Sequence, residues 1–236
     1  MKKSAFTMME LIFVIVVIGI LAAVFIPRIG RNNLSDAANQ LISHIRYTQH
    51  LALMDDKYDK NDPKWYNKRW ELAFSTAASS QSYYIFSDSP SLINQKYDGN
   101  PGANSTYTKV EVAKNPSDNS LYLLGVPLSS FDNSNQSKLS KNLNLTSKYG
   151  IKNIVMTGGN SATNNRILFD HLGRPYRGST AYTVTHPLSS PVDGLIRSRL
   201  YIKLCSSTCS NPKNKANNSN ELVIIVEPET GYVHLL

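Results

Sequence analysis

Apolar residues run almost unbroken from Phe6 to Ile26, FTMMELIFVIVVIGILAAVFI, and Glu10 is the single charge among those 21 residues. A helix of that length, at about 1.5 Å per residue, covers roughly 30 Å, the thickness of bilayer hydrocarbon, so the pattern predicts a transmembrane helix over 6–26. Pro27 removes a backbone donor and predicts a kink just beyond it, with Gly30 loosening the next turn. Helical periodicity then resumes: Leu34, Ala38, Leu41, Ile45, Thr48 and Ala52 recur at alternating spacings of four and three, one face of a helix suited to packing on a sheet. The charged, proline-closed run DDKYDKNDP stops it, which sets a helical continuation over 27–57.

From residue 58 the period becomes strand-like, with short apolar runs separated by Asn, Ser, Gly and Pro. Candidate strands are Trp70–Phe74, Tyr83–Ser87, Tyr107–Val112, Leu121–Val126, Ile154–Thr157, Arg166–Asp170, Leu200–Cys205, Leu222–Glu227 and Tyr232–Leu235, with Glu227–Gly231 as a turn whose glycine supplies a left-handed residue. The expected fold class is therefore α+β: a long N-terminal helix, half transmembrane and half in the head, packed on an antiparallel sheet that fills 58–236. The polar stretches Ser129–Lys141 and Ser206–Asn220 read as mobile or partner-facing connections.

Charge adds orientation. Lys2 and Lys3 precede the apolar run, which places the N-terminus in the cytoplasm and the remainder outside, although Arg28 and Arg31 weaken the asymmetry. A secretory signal peptide fits poorly, because its apolar stretch rarely opens with an acid and Leu21-Ala22-Ala23 is not an A-x-A cleavage site. A carboxylate inside a membrane segment costs on the order of 2.5 to 3.5 kcal/mol near the centre, so Glu10 calls for a cation that the rest of the span does not contain.

Taken together, KKSAFTMMELIFVIVVIGILAAVFIPR resembles the leader and N-terminal helix of type IV pilins and type II secretion pseudopilins. The resemblance implies a leader, residues 1–5, cut by a prepilin peptidase between Ala5 and Phe6, with the new amine of Phe6 methylated and Glu10 meeting that amine on a neighbouring subunit. Pro27 matches the family's kinking proline, and Ala5 stands where the family usually has Gly. Arg166–Arg174 (RILFDHLGR) and Leu222–Leu235 (LVIIVEPETGYVHLL) are similar to the GspH/FimT branch. On this resemblance the chain is a structural subunit of a type IV pilus-like filament, a minor pseudopilin of a type II secretion system. It would sit as a single-pass protein in a bacterial inner membrane, its head in the periplasm and its partners other pilin subunits. A minor pilin that binds DNA or adheres to surfaces is the alternative.

Two cysteines occur, Cys205 and Cys209, in C-S-S-T-C. The neighbouring stretch offers no further Cys or His for a metal, and the spacing is not that of a C-x-x-C redox motif, so a short-range disulfide is the reading. Five histidines are scattered, and no hydrolase, zinc or phosphate-loop motif is present; no enzyme, cofactor or metal is expected. The formal charge is +8, of which Lys2 and Lys3 contribute two, and Arg174, Arg177, Arg197 and Arg199, with Arg166 and Lys203, concentrate basic charge late in the chain. If these share one face they form a candidate nucleic-acid surface.

Overall fold

The structure, a computed structural model, describes residues 7–77, 80–92, 96–102, 110–128, 137–159, 164–178 and 193–236, without the side chains of 22–32 and 76–77. Helix α1 spans Met8–Met54. It starts where Thr7, in extended conformation, accepts the Glu10 N–H through its hydroxyl while Glu10 reaches back to the Thr7 N–H, a capping box that satisfies two donors of the first turn.

Among the described residues no helix is long and apolar enough to cross a membrane. The apolar stretch with described side chains, 8–21, rises only about 20 Å at 1.5 Å per residue, short of the roughly 30 Å of bilayer hydrocarbon. The expectation of a transmembrane helix over 6–26 reached its length only by including Phe6 and 22–26, which fall outside that stretch. The fold class read as a transmembrane half joined to a head half is corrected accordingly, and so is the single-pass placement in an inner membrane. Pro27 lies within the helical assignment, and its side chain is outside the described residues.

Residues 33–54 of α1 carry a buried stripe: Ala38, Leu41, Ile45, Thr48 and Ala52 are shielded, while Asp36, Ser43, Arg46 and His50 face outward. Two four-stranded antiparallel sheets meet this stripe. One orders β2 (Ser80–Ser87), β1 (Trp70–Ala77), β6 (Arg166–Phe169) and β7 (Pro175–Tyr176); the other orders β10 (Val233–Leu235), β9 (Glu221–Val226), β8 (Leu200–Cys205) and β5 (Asn153–Gly158). A small hairpin pairs β3 (Lys114–Asn115) with β4 (Asp118–Tyr122), and one short helix, α2 (Leu145–Tyr149), closes against β2.

Alternation along the strands assigns the faces. Leu72, Phe74, Tyr83, Ile85, Ile167 and Phe169 point to α1 and share a core with Leu200, Ile202, Leu204, Ile224, Val226 and Val233 of the second sheet. Ala73, Tyr84 and Phe86 point the other way, into a second cluster with Val112, Tyr122, Leu124 and Leu139. The first sheet is thus covered on both sides, which is why β2 is buried along nearly its whole length. Seven of the nine expected segments are found to within three residues at each end: β1, β2 and β5 extend theirs, β8 coincides with 200–205, and β6, β9 and β10 differ from theirs by one residue at their ends. The exceptions are 121–126, where β4 ends at Tyr122, and 107–112, where 107–109 lie outside the described residues and Val112 makes a single bridge to Phe86.

Candidate functional site

Helix propensity and a run of large apolar side chains build the first candidate, the N-terminal turns of α1. Met8, Met9, Leu11, Ile12, Phe13, Val14, Ile15, Val16, Val17 and Ile18 are all exposed, with Met8 84% and Phe13 71% accessible, so the apolar surface runs around the whole helix. Glu10 sits in this surface. Its Oε2 accepts the Thr7 N–H at 3.0 Å and the Thr7 hydroxyl at 3.0 Å, while Oε1 takes no hydrogen bond among the described residues. The cation that the sequence calls for is thus replaced within the chain by two neutral donors, leaving one oxygen open. Ala5 and Phe6 lie outside the described residues.

The second candidate surrounds the cysteines. Cys205 and Cys209 are bonded, with Cα atoms 5.5 Å apart. The stretch 206–220, expected to be mobile or partner-facing, is instead tied down by a buried ion pair that sequence reading missed. Lys203 Nζ lies 2.8 Å from Glu221 Oε2, both side chains fully shielded, and donates to Ser210 O at 3.1 Å and Pro212 O at 3.4 Å. Glu221 also accepts the N–H of Ser210 at 2.6 Å and of Asn217 at 2.9 Å. Burial alone would raise the Glu221 carboxyl, but the Lys203 ammonium and these amides outweigh it and bring it down to about 2.

The arginines named for nucleic acid do not form one free surface. Arg174 pairs with Asp170 at 2.7 Å, Arg199 with Glu227 at 3.1 Å and Arg166 with Glu71 at 3.2 Å. Arg177 is buried and donates to the carbonyls of Gly158, Asn164 and Met156 at 2.8, 3.1 and 3.3 Å. Lys203 is interior, and of the four arginines Arg197 and Arg199 are exposed on the loop before β8, Arg199 in its pair with Glu227. Asp170, beside His171, organises a turn: it accepts the N–H groups of Leu172 and Arg174 at 3.0 and 2.9 Å and the Tyr176 hydroxyl at 2.9 Å. His44, half-buried with its ring nitrogen 2.7 Å from the Tyr83 hydroxyl, is lowered to about 4 by desolvation and belongs to the packing between helix and sheet. Among the described residues no group of His, Cys, Asp and Glu could hold a metal ion.

The two stretches singled out at 166–174 and 222–235 converge on α1. Gln49 Nε2 donates to Gly173 O at 2.7 Å and to Thr230 O at 2.8 Å. Gly231 has φ of 65°, and a Cβ there would stand 2.7 Å from Gln49 Nε2 and 2.8 Å from Gly173 O, so the turn requires glycine for both conformation and space. No family model, no curated protein and no solved structure matches the chain.

Proposed function

We propose that the chain is a structural subunit of a type IV pilus-like filament, in the role of a minor pseudopilin of a type II secretion system. Prepilin peptidase removes residues 1–5, and the subunit assembles through α1 while the head faces outward. One observation carries this reading: the first turns of α1 expose large apolar side chains on every side, whereas residues 34–52 of the same helix pack on two sheets. Such a surface calls for partners, and burying it against neighbouring helices yields about 25 cal/mol for each Å² removed from water. The capping box keeps Glu10 at the start of the helix, and in this reading its open Oε1 meets the N-methylated amine of a neighbour's Phe6. The head contributes attachment and shape in this role, not catalysis.

The test uses the full chain, expressed in a cell with a pilus-like system and its prepilin peptidase. Filaments are sheared off and the subunit's intact mass and N-terminal sequence are measured. The expected result is a chain beginning at methylated Phe6, with incorporation of Glu10→Gln reduced about tenfold or more, since the neighbour's amine is left without its carboxylate. An uncut chain in the filaments, or normal incorporation of Glu10→Gln, overturns the proposal.

A further inference from the structure

Beside the open end of β2 lies a cluster of buried acids outside the surfaces described above. Glu71, Asp88 and Glu111 are each at most 2% exposed, and among the buried groups described around them Arg166 brings a guanidinium. The cluster fastens a loop. Gly99 donates its N–H to Asp88 Oδ2 at 2.7 Å, and its carbonyl accepts from Arg166. Gly102 donates to Glu111 Oε2 at 2.6 Å, while Glu111 Oε1 accepts the Ser89 N–H at 2.8 Å and the Ser89 hydroxyl. Asp88 Oδ1 is buried without a hydrogen bond among the described residues. Three carboxylates around one guanidinium, shielded from water, cannot all stay ionised at tolerable cost, and an acceptor with no donor marks where a proton belongs.

We propose that this cluster is a proton-held latch: closed over 96–102, it keeps at least one carboxyl proton, and it opens as pH rises. The described groups that face the cluster pull both ways, and burial with the neighbouring acids prevails. Burial, then Glu111 and Glu71, push Asp88 up to about 9, against the Gly99 N–H, and Asp98 adds to the push. Burial pushes Glu111 up to about 7 despite its donors Ser89 and Gly102, again with Asp98 adding. Arg166 works against the proton: Glu71, Tyr84 and Asp88 keep its guanidinium charged despite its own burial, and that one cation faces three acids, while Tyr97, whose hydroxyl donates to Asp62, is raised by burial first and by Asp88 among others. Folded values above unfolded ones give stability that is whole at low pH and is lost as pH climbs through the folded values.

The experiment is amide hydrogen exchange of the full chain at pH 5 to 9, corrected for intrinsic rates, with Asp88→Asn as the partner sample. In the wild type the opening constant at Gly99 and Gly102 rises about tenfold per pH unit for each proton that the closed latch keeps. In Asp88→Asn, whose amide holds the same acceptor and never ionises, the rise is tenfold shallower per unit at Gly99. A flat wild-type profile overturns the proposal without need of the variant. So does recovery of wild-type protection at pH 8 with millimolar calcium, which would make the cluster a cation site.

Discussion

Two loops of this head are held by buried carboxylates, and they are held in opposite ways. Glu221 fastens 206–220 with an ammonium 2.8 Å away and is brought down to about 2. Asp88 and Glu111 fasten 96–102 with backbone and hydroxyl donors, in the company of further acids, and rise to about 9 and about 7, burial leading in both. All three side chains are shielded from water to a similar degree. Burial therefore does not decide the direction; the charge brought alongside does. The Glu221 contribution is present above its unfolded value near 4.5 and is lost as pH falls toward 2, whereas that of the acid cluster is lost as pH rises through 7 and 9.

The sharpest way to break the contrast is to remove the ammonium. Lys203→Met keeps an unbranched side chain of similar length and leaves Glu221 buried with the Ser210 and Asn217 N–H groups and the Ser210 hydroxyl as donors, so the midpoint of thermal unfolding at pH 7 drops by about 10 °C. Its pH dependence also changes sign. Without Lys203 the folded carboxyl lies above its unfolded value, so the variant gains stability on going from pH 7 to pH 5, where the wild type gains nothing from this group. Unfolding midpoints at the two pH values decide it: a variant that loses stability toward pH 5 shows that these neutral donors alone can hold the charge.

Reducing the Cys205–Cys209 bond acts on the same loop without touching its charge. The two residues are four apart in sequence, so the closed loop is small and its loss costs about 2 kcal/mol. The ion pair still holds 206–220, and the pH profile of unfolding keeps its shape while the midpoint falls by about 4 to 8 °C. Urea unfolding with and without reductant measures the cost. A collapse larger than that for Lys203→Met would make the disulfide, not the ion pair, the fastening of this loop.

Much of this architecture is written locally and can be read from the chain. The stripe Ala38, Leu41, Ile45, Thr48 and Ala52 and the apolar runs 200–205 and 222–226 report burial because period and side-chain type agree at each position. The cysteine pair is legible for the same reason, its partners being neighbours. The two latches are not. Lys203 falls in an otherwise apolar strand and was grouped with surface cations, because its partner is Glu221, the first residue of β9, reached only when β8 and β9 pair. Asp88 stands in SDSPS, a run of turn-formers, and nothing nearby announces that Glu71 comes in from β1 and Glu111 from the connection before β3. Charged residues carry no periodic sign of burial; the sheet register creates it. The transmembrane expectation erred in the other direction, since local hydrophobicity was read through residues that the described apolar stretch 8–21 does not include.

The smallest expected effect probes the acid latch from its donor side. Ser89→Ala removes the hydroxyl that donates to Glu111 Oε1 but leaves the Ser89 N–H on the same oxygen, 2.8 Å away. The loss is about 1 kcal/mol at pH 8, where Glu111 is mostly ionised and needs its donors. The hydroxyl opposes the upward push of burial on Glu111, so its removal moves the Glu111 midpoint higher and extends the proton-held regime. At pH 5, where the carboxyl is protonated in either protein, the two differ by less. The same substitution beside a carboxylate that has an ammonium, Ser210→Ala at Glu221, acts on a group that stays ionised at both pH values, so its cost does not change between pH 5 and pH 8. Unfolding free energies of the two alanine variants at those pH values form a four-point comparison: a pH-dependent cost at Ser89 and a constant one at Ser210 support opposite latches, and equal pH dependence at both sites refutes them.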